Sequence, residues 1–256
     1  MIFRWSIWDE HLQTNIELLR YSILSFKKQF GNGHQYIIYT DDCSALEESL
    51  NTEVDMRAFP SDRHSPFRVH SKATWLKWCP SPRLDVNQVE FFVDSDVFLL
   101  KYPKEIDALL SNQKTKFIIM DEFFGQPYQH GVMRKKATTD TPFVNAGFFV
   151  QKVGYDISSD LVKELEWWHK NTTDSEQTHH DEQGALAVAL TKYFVNGELS
   201  ILPKDRYMII SETSNVGIEN LDTATLFHAT YPTHPAFYKF KHVLDEILHA
   251  DSKPKG

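Results

Sequence analysis

Asp94 and Asp96 are carboxylates one residue apart in an otherwise apolar stretch, with Phe91-Phe92-Val93 before them and Val97-Phe98-Leu99-Leu100 after. Two charges set between buried runs need compensation, because an ionised carboxylate taken out of water without a partner is strongly disfavoured. A hard divalent cation supplies it directly. Such an ion takes one or two protein carboxylates and completes its shell with substrate phosphates. The triplet Asp94-Ser95-Asp96 is common by chance, so its apolar setting carries the reading. We expect the chain to turn at these residues, at the carboxyl end of a buried strand, which is where open α/β sheets bind ligands. The chemistry implied is the holding of a phosphate-bearing ligand through a cation.

The elements around the triplet follow from hydrophobic spacing. Residues 2–8 read as a short apolar strand, and residues 15–30 place Ile16, Leu19, Ile23, Phe26 and Phe30 on one helical stripe. Gly31-Asn32-Gly33 ends that helix. Residues 35–39 (QYIIY) form a second buried strand that stops at Thr40-Asp41-Asp42, so strand, helix and strand follow one another within forty residues. That order is a parallel-sheet signature. The spacing predicts a helix over 71–78 that ends before the loop from Pro80 to Pro82, and then a strand over 89–93 leading into the triplet. Helix 104–110, strands 116–120 and 143–150, helices 159–170 and 182–193, strands 199–202 and 225–228, and a helix over 235–250 continue the alternation. The fold class expected is α/β, with a mixed, mostly parallel central sheet flanked by helices. In such a sheet Ile7 and Trp8 close the first strand and Tyr39, Thr40 and Asp41 the second, at the ends where ligands bind. Residues 125–141 lack periodicity and read as an acceptor-side or lid loop. Trp75, Trp78, Trp167 and Trp168 read as core.

Bulk properties narrow the function. A chain of 256 residues with 41% hydrophobic content buries a sizeable core and reads as one domain, 1–256. A net charge of -8 without sustained basic runs excludes an extended nucleic-acid footprint. Cys43 and Cys79 lack the number and spacing of a disulfide framework or metal site. No run of about eighteen apolar residues predicts a transmembrane segment, and the start MIFRWSIWDE has no signal-peptide pattern. These features fit a cytoplasmic protein, peripheral at a membrane or not, and equally a lumenal domain of a longer anchored protein. The short basic tail of Lys253 and Lys255 is too small to argue membrane binding.

FFVDSDVFLL resembles the strand and Asp-x-Asp motif of GT-A fold (Rossmann-like) glycosyltransferases, in which two aspartates bind the metal and the donor's phosphates or ribose. FVNAGFFVQK is similar to the Asn-Ala-Gly segment of the glycogenin and bacterial lipopolysaccharide galactosyltransferase type, and HHDEQGALAVAL to the acidic-amide segment that opens a helix beside the donor sugar. FHATYPTHPAF resembles a late segment whose histidine adds a metal ligand. The four segments follow in order over residues 91–237. The late family pattern His-x-x-Gly-x-x-Lys-Pro-Trp is altered here to His228-Ala229-Thr230-Tyr231 with His234-Pro235, so the usual glycine and phosphate-binding lysine are absent.

The resemblance implies a nucleotide-binding half over about 1–100 and a donor-sugar and acceptor half over about 101–256. It implies Mn²⁺ or Mg²⁺ held by Asp94, Asp96 and His228, with Asp96 the direct ligand and His234 in reserve. It sets Asn145, Ala146 and Gly147 at the donor sugar; from the residues alone, a glycine inside a strand signals a bulge or a close approach. Lys72, and similarly Arg68, would meet the nucleotide or its phosphates, with Trp8, Thr40, Asp41 and Ser95 completing the donor site. Asp181, Glu182 and Gln183 are the expected catalytic group, although helix capping explains one carboxylate without chemistry. His179 and His180 read as a solvated pair before the same helix.

The implied reaction moves a sugar, UDP-hexose favoured, to a glycan, lipid-linked or protein acceptor hydroxyl. Retention is the favoured course. An inverting course needs a carboxylate base, for which Asp181, Glu182 and Glu122 are available. Two other readings share the aspartates: a metal-dependent nucleotidyltransferase or phosphohydrolase, and a non-catalytic sugar-nucleotide-binding protein.

Overall fold

The computed structural model describes residues 1–250 apart from 51, 123–124, 212–213, 215–216 and 231–232. Tyr231 of the late segment and the basic tail lie outside them. The elements in order are β1 (Ile2–Ile7), α1 (Asp9–Phe30), β2 (Gln35–Thr40), α2 (Cys43–Leu50), β3 (Asp55–Ala58), β4 (Glu90–Val93), β5 (Val97–Leu99), α3 (Lys104–Ser111), β6 (Phe117–Asp121) and β7 (Val144–Gln151). There follow α4 (Ser158–Asn171), α5 (Asp181–Val195), β8 (Leu199–Leu202), β9 (Tyr207–Ile210), α6 (Ile218–Leu221), β10 (Leu226–Ala229) and α7 (Pro235–His249). Short 3₁₀ segments cover Asp62–His64, Trp75–Trp78 and Pro127–Lys135.

Seven strands form the central sheet in the order β3-β2-β1-β4-β7-β6-β8; β7 is antiparallel to β4 and β6, and the other pairs are parallel. This is the mixed, mostly parallel sheet expected from the alternation. Strands covered on both faces read as continuous apolar runs, and β4 and β7 are buried at every position. A smaller sheet, β5-β10-β9, brings the chain after the acidic triplet against the late strand that carries His228.

Helix α1 begins six residues before its apolar stripe predicts. It buries Leu18, Leu19, Ile23 and Phe26, and two of its serines hold the second sheet. Ser22 Oγ donates to the Val97 carbonyl at 2.6 Å, and the Leu99 N–H donates to Ser25 Oγ at 3.0 Å. The helix expected over 71–78 shortens to the 3₁₀ turn Trp75–Trp78. Pro80 restricts the residues ahead of it. Packing then decides the local shape, with Trp75 against Trp168 and Trp78 against Phe92, all four buried as core. The elements not anticipated (α2, β3, β5, α6 and β9) are short, where periodicity has too few turns to register. Among the described residues no helix is long and apolar enough to cross a membrane.

An ion pair ties the floor of the sheet together. Arg4 and Glu90 are both fully buried and meet at 3.1 Å. Arg4 also donates to the carbonyls of Ser81 (2.6 Å) and Cys79 (2.9 Å), while Glu90 accepts the Leu84 N–H at 2.9 Å. The loop after the Trp75–Trp78 turn is thereby fixed to β1 and β4. Removing one partner of such a pair strands the other charge. Glu90→Ala is expected to lower the unfolding free energy by about 3–5 kcal/mol in urea denaturation, and Arg4→Met combined with Glu90→Leu by less. Equal losses in the single and double variants would show that the stranded charge is not the cause.

Candidate functional site

The chain turns at the end of β4 as expected. The Val97 N–H donates back to the Asp94 carbonyl at 3.2 Å, with Ser95 half-buried in the turn. Asp94 keeps partial exposure, whereas Asp96 is 7% exposed and points toward β10. There His228 lies opposite Val97 of β5, and its Nε2 is 3.1 Å from Asp96 Oδ1. His234 Nδ1 donates to the Ala229 carbonyl at 2.7 Å and lies 3.2 Å from Asp96 Oδ2. Both neighbours are acceptors, so the Nδ1–H lies between the Ala229 carbonyl and Asp96. His234 adopts φ 48, a left-handed conformation uncommon outside glycine, at the start of α7. Burial alone would raise the Asp96 carboxyl, but His228 and His234 hold it well below the usual carboxylate range. Burial opposes the charge on His228, and Asp96 outweighs it, so its pKa is raised.

Among the described residues, Asp94, Asp96 and His228 each offer a ligand atom, and these atoms lie within 4.8 Å of one another. Two carboxylates and one imidazole are a donor set suited to a divalent first-row ion such as Mn²⁺. The residues therefore fit the cation that the sequence implies.

A register break shapes the rest of the site. β6 pairs with β7 regularly up to Ile119 opposite Phe149, and then Met120 faces Asn145, which leaves Ala146, Gly147 and Phe148 outside that ladder. The glycine in a strand thus marks a bulge, as its position suggested. The freed backbone groups are taken up by site residues. The Ala146 N–H donates to Gln183 Oε1 (3.2 Å), the Ala146 carbonyl accepts from Lys77 Nζ (3.1 Å), and the Gly147 carbonyl accepts the Asp94 N–H (2.9 Å). A side chain at 147 would not fit, since a Cβ there would lie 2.6 Å from His228 Cε1. The small residue makes room for the imidazole.

Lys77, which the sequence does not single out, joins this cluster. Its Nζ is 2.8 Å from the Asp94 carboxylate and 3.9 Å from Glu182 Oε2, with its side chain 10% exposed. Burial disfavours its charge, but Asp94 and Glu182 together raise its pKa above the ordinary lysine value. Lys72, chosen on an expected helix, is instead exposed in a bend, and its backbone N–H donates to Gln177 Oε1 at 3.3 Å. A lysine two residues past a buried Trp75, in a segment with apolar neighbours on both sides, was the available signal.

The Asp181-Glu182-Gln183 triplet divides into three environments. Both oxygens of Asp181, fully buried, are occupied: Oδ1 accepts from the Val132 N–H (2.8 Å) and Thr178 Oγ1 (2.7 Å), Oδ2 from Trp168 Nε1 (2.8 Å) and the Thr178 N–H (3.1 Å). Glu182 accepts from Trp78 Nε1 (2.5 Å) and Thr74 Oγ1 (3.1 Å), and burial, opposed by Lys77, raises its pKa. Gln183 alone keeps partial exposure. Its Nε2 lies 3.3 Å from Glu122 Oε2 and 3.5 Å from the Gln129 carbonyl.

Part of the segment expected to be a loop or lid is a packed wall. Residues Gln129 to Met133 are buried in the 3₁₀ run Pro127–Lys135, and Gly131 adopts φ 53 with its α-carbon against Asp181. A Cβ on Gly184 of α5 would lie 2.1 Å from the His130 carbonyl, so the two segments touch backbone to backbone. The His179 and His180 rings lie 4.1 Å apart between centroids, tilted by 44°, with His180 beside the exposed Tyr128. Burial, then His179, pushes His180 down to about 4, which keeps it neutral near pH 7. The expectation of a solvated pair holds for His179, which is exposed, while His180 is half-buried beside Tyr128.

Along the same carboxyl edge of the sheet, Ile7 and Thr40 are register partners in β1 and β2, so Trp8 and Asp41 follow side by side. Thr40 is buried, and Asp41 meets Arg68 at 3.3 Å.

No family model matches the chain, and no curated protein matches it in sequence. Solved structures do match in shape. The galactosyltransferase LgtC, crystallised with donor and acceptor sugar analogues, superposes with a TM-score of 0.59 at 11% identity over 96% of each chain. The chain has the GT-A fold. Mouse xyloside xylosyltransferase 1 in its apo form shares it at a TM-score of 0.55 and 11% identity, over 89% of this chain and 97% of that one. The bifunctional glycosyltransferase WbbM matches at 0.56 and 12%, over 99% of this chain but 50% of its own. LgtC has also been crystallised with an active-site glutamine changed to glutamate, a form that matches at 0.55 and 11%. On the GT-A sheet, the Asp94 turn, the β7 bulge and the start of α5 converge.

Asp181→Asn sets an amide donor against groups that can only donate, such as Trp168 Nε1–H and the backbone N–H groups. We expect a loss of about 3 kcal/mol in unfolding free energy, from bonds to charge worth about 1.5–3 kcal/mol each. Hydrogen exchange at the Val132 amide should accelerate with it. Unchanged exchange at Val132 would remove Asp181 as the anchor of the wall.

Proposed function

We propose that the chain is a metal-dependent glycosyltransferase that moves a sugar from a nucleotide-sugar, a UDP-hexose in preference, to an acceptor hydroxyl with retention. The observation that carries this is the meeting of Asp94, Asp96 and His228 at the strand ends of a GT-A sheet, with ligand atoms within 4.8 Å. These three residues would hold Mn²⁺ or Mg²⁺, which when bound neutralises the diphosphate leaving group. Every other part is played by the chain itself.

Lys77 holds Asp94 in place and brings a fixed positive charge beside the phosphates, in a setting where burial strengthens its field. Trp8, Thr40 and Asp41 bind the base across the ends of β1 and β2, and Ser95 lies at the ribose and phosphate side. The amide of Gln183, held by Ala146 and Glu122, lines the donor-sugar pocket. LgtC carries an active-site glutamine, which supports that assignment. Glu122 and Gln183 orient the acceptor hydroxyl; the glycosidic bond to phosphate breaks, the bond to the acceptor oxygen forms, and the hydroxyl proton passes to the departing phosphate. Asp181 contributes by fixing the wall against which Gln183 rests. The acceptor is a glycan, lipid-linked or protein hydroxyl.

A panel of UDP- and GDP-sugars incubated with Mn²⁺ tests the reading. We expect slow release of free nucleoside diphosphate, faster with an acceptor, abolished by EDTA and by Asp96→Ala. Lys77→Met should weaken donor use by roughly 100-fold, the effect of removing one charged contact of 2–3 kcal/mol. Release of inorganic phosphate or pyrophosphate would favour phosphohydrolase or nucleotidyltransferase chemistry. Neither binding nor turnover across the panel would refute the proposal.

A further inference from the structure

Asn145 lies between Glu122 and His228, and its neighbours dictate which way its amide faces. The Gly147 N–H is a donor that cannot change role, and it lies 2.9 Å from Oδ1. On the other side Nδ2 is 3.0 Å from the Glu122 carboxylate, which accepts. Rotating the amide by half a turn would set NH₂ against N–H and oxygen against oxygen. The orientation is therefore determined from both ends.

The consequence falls on His228. Its Nδ1 is 3.1 Å from Asn145 Oδ1, an oxygen without hydrogen, so Nδ1 must supply the proton of that bond. A neutral imidazole carries one N–H, which leaves Nε2 with a lone pair. Nε2 is the atom 3.1 Å from Asp96 Oδ1. Without a cation, a second proton on Nε2 is what lets the two atoms sit at that separation, and a divalent cation would take that proton's place. We infer that Glu122 and Asn145 are positioning residues that hold His228 in the Nδ1–H tautomer, so that Nε2 and Asp96 are presented together to a divalent cation. This rests on the metal-dependent reading above. It also gives Asn145 a task toward the ring, in addition to the place at the donor sugar that its segment suggested. Hydrogen-bond partners of metal-binding histidines set ring orientation and basicity, and losing one weakens metal affinity about 10–100-fold.

The test combines two measurements on the full chain. Mn²⁺ binding is followed by electron paramagnetic resonance of the free ion, in wild type, Asn145→Ala, Glu122→Leu and Glu122→Gln. The His228 tautomer in the metal-free wild type and variants is read from two-bond ¹H–¹⁵N correlations, at a pH where the ring is neutral. We expect Nδ1–H in wild type, a shift toward Nε2–H in Asn145→Ala, and Mn²⁺ affinity about 10–100-fold weaker in Asn145→Ala. Glu122→Leu should weaken binding in the same direction. Glu122→Gln still offers an oxygen to Asn145 Nδ2 and should retain most of the affinity. Thermal melts report folding; should Asn145→Ala fail to fold, the Glu122 pair and the wild-type tautomer decide. Wild-type Nε2–H, or Mn²⁺ binding indifferent to both Asn145→Ala and Glu122→Leu, overturns the inference alone. A wild type that binds no Mn²⁺ overturns the metal reading and this inference with it.

Discussion

Ala146 and Gly147 leave the β6 ladder at the register break, and their peptide groups, being buried, must find other partners because an unpaired one costs as much as a lost hydrogen bond. The partners are Gln183, Lys77 and the Asp94 backbone. One irregularity in one strand therefore fixes three separate segments at once: the turn after β4, the 3₁₀ turn that bears Lys77, and the first turn of α5. The absence of a Cβ at Gly147 adds a fourth, since His228 occupies the space.

Buried carboxylates within this region have different tasks, set by surroundings and not by residue type. Asp181 is saturated by donors and secures the Pro127–Lys135 wall. Glu182 is enclosed by Trp78, Thr74 and Lys77. Asp96 faces two histidines, and Asp94 faces Lys77 with part of its surface open. A cation is compatible with the last two because their ligand atoms and that of His228 lie within 4.8 Å of one another. The first two are enclosed, at 0% and 2% exposure.

Much of this was legible in the sequence. The apolar run into Asp94-Ser95-Asp96 marked a strand end, Gly147 marked a bulge, and the alternation of strands and helices marked the mixed sheet. What escaped has physical causes. Lys77 was passed over for Lys72 because helical spacing was read over 71–78, where Pro80 and tryptophan packing impose a 3₁₀ turn. Residues 125–141 looked like a loop because their burial depends on contact with α5 through Gly131, Gly184 and Asp181, none of which is periodic. Within 181–183 the sequence does not say which side chain is enclosed. That depends on Trp168 and Trp78, residues distant from the cleft in the chain.

The most direct test of the central claim, that Asp94, Asp96 and His228 form one cation site on this GT-A sheet, is a crystal structure grown with Mn²⁺ and a nucleoside diphosphate, with diffraction recorded at the manganese edge. The account predicts a single anomalous peak in coordination with Asp96 and His228 Nε2, and the diphosphate against it. A manganese peak elsewhere, or a diphosphate bound away from the Asp94 turn, would contradict it.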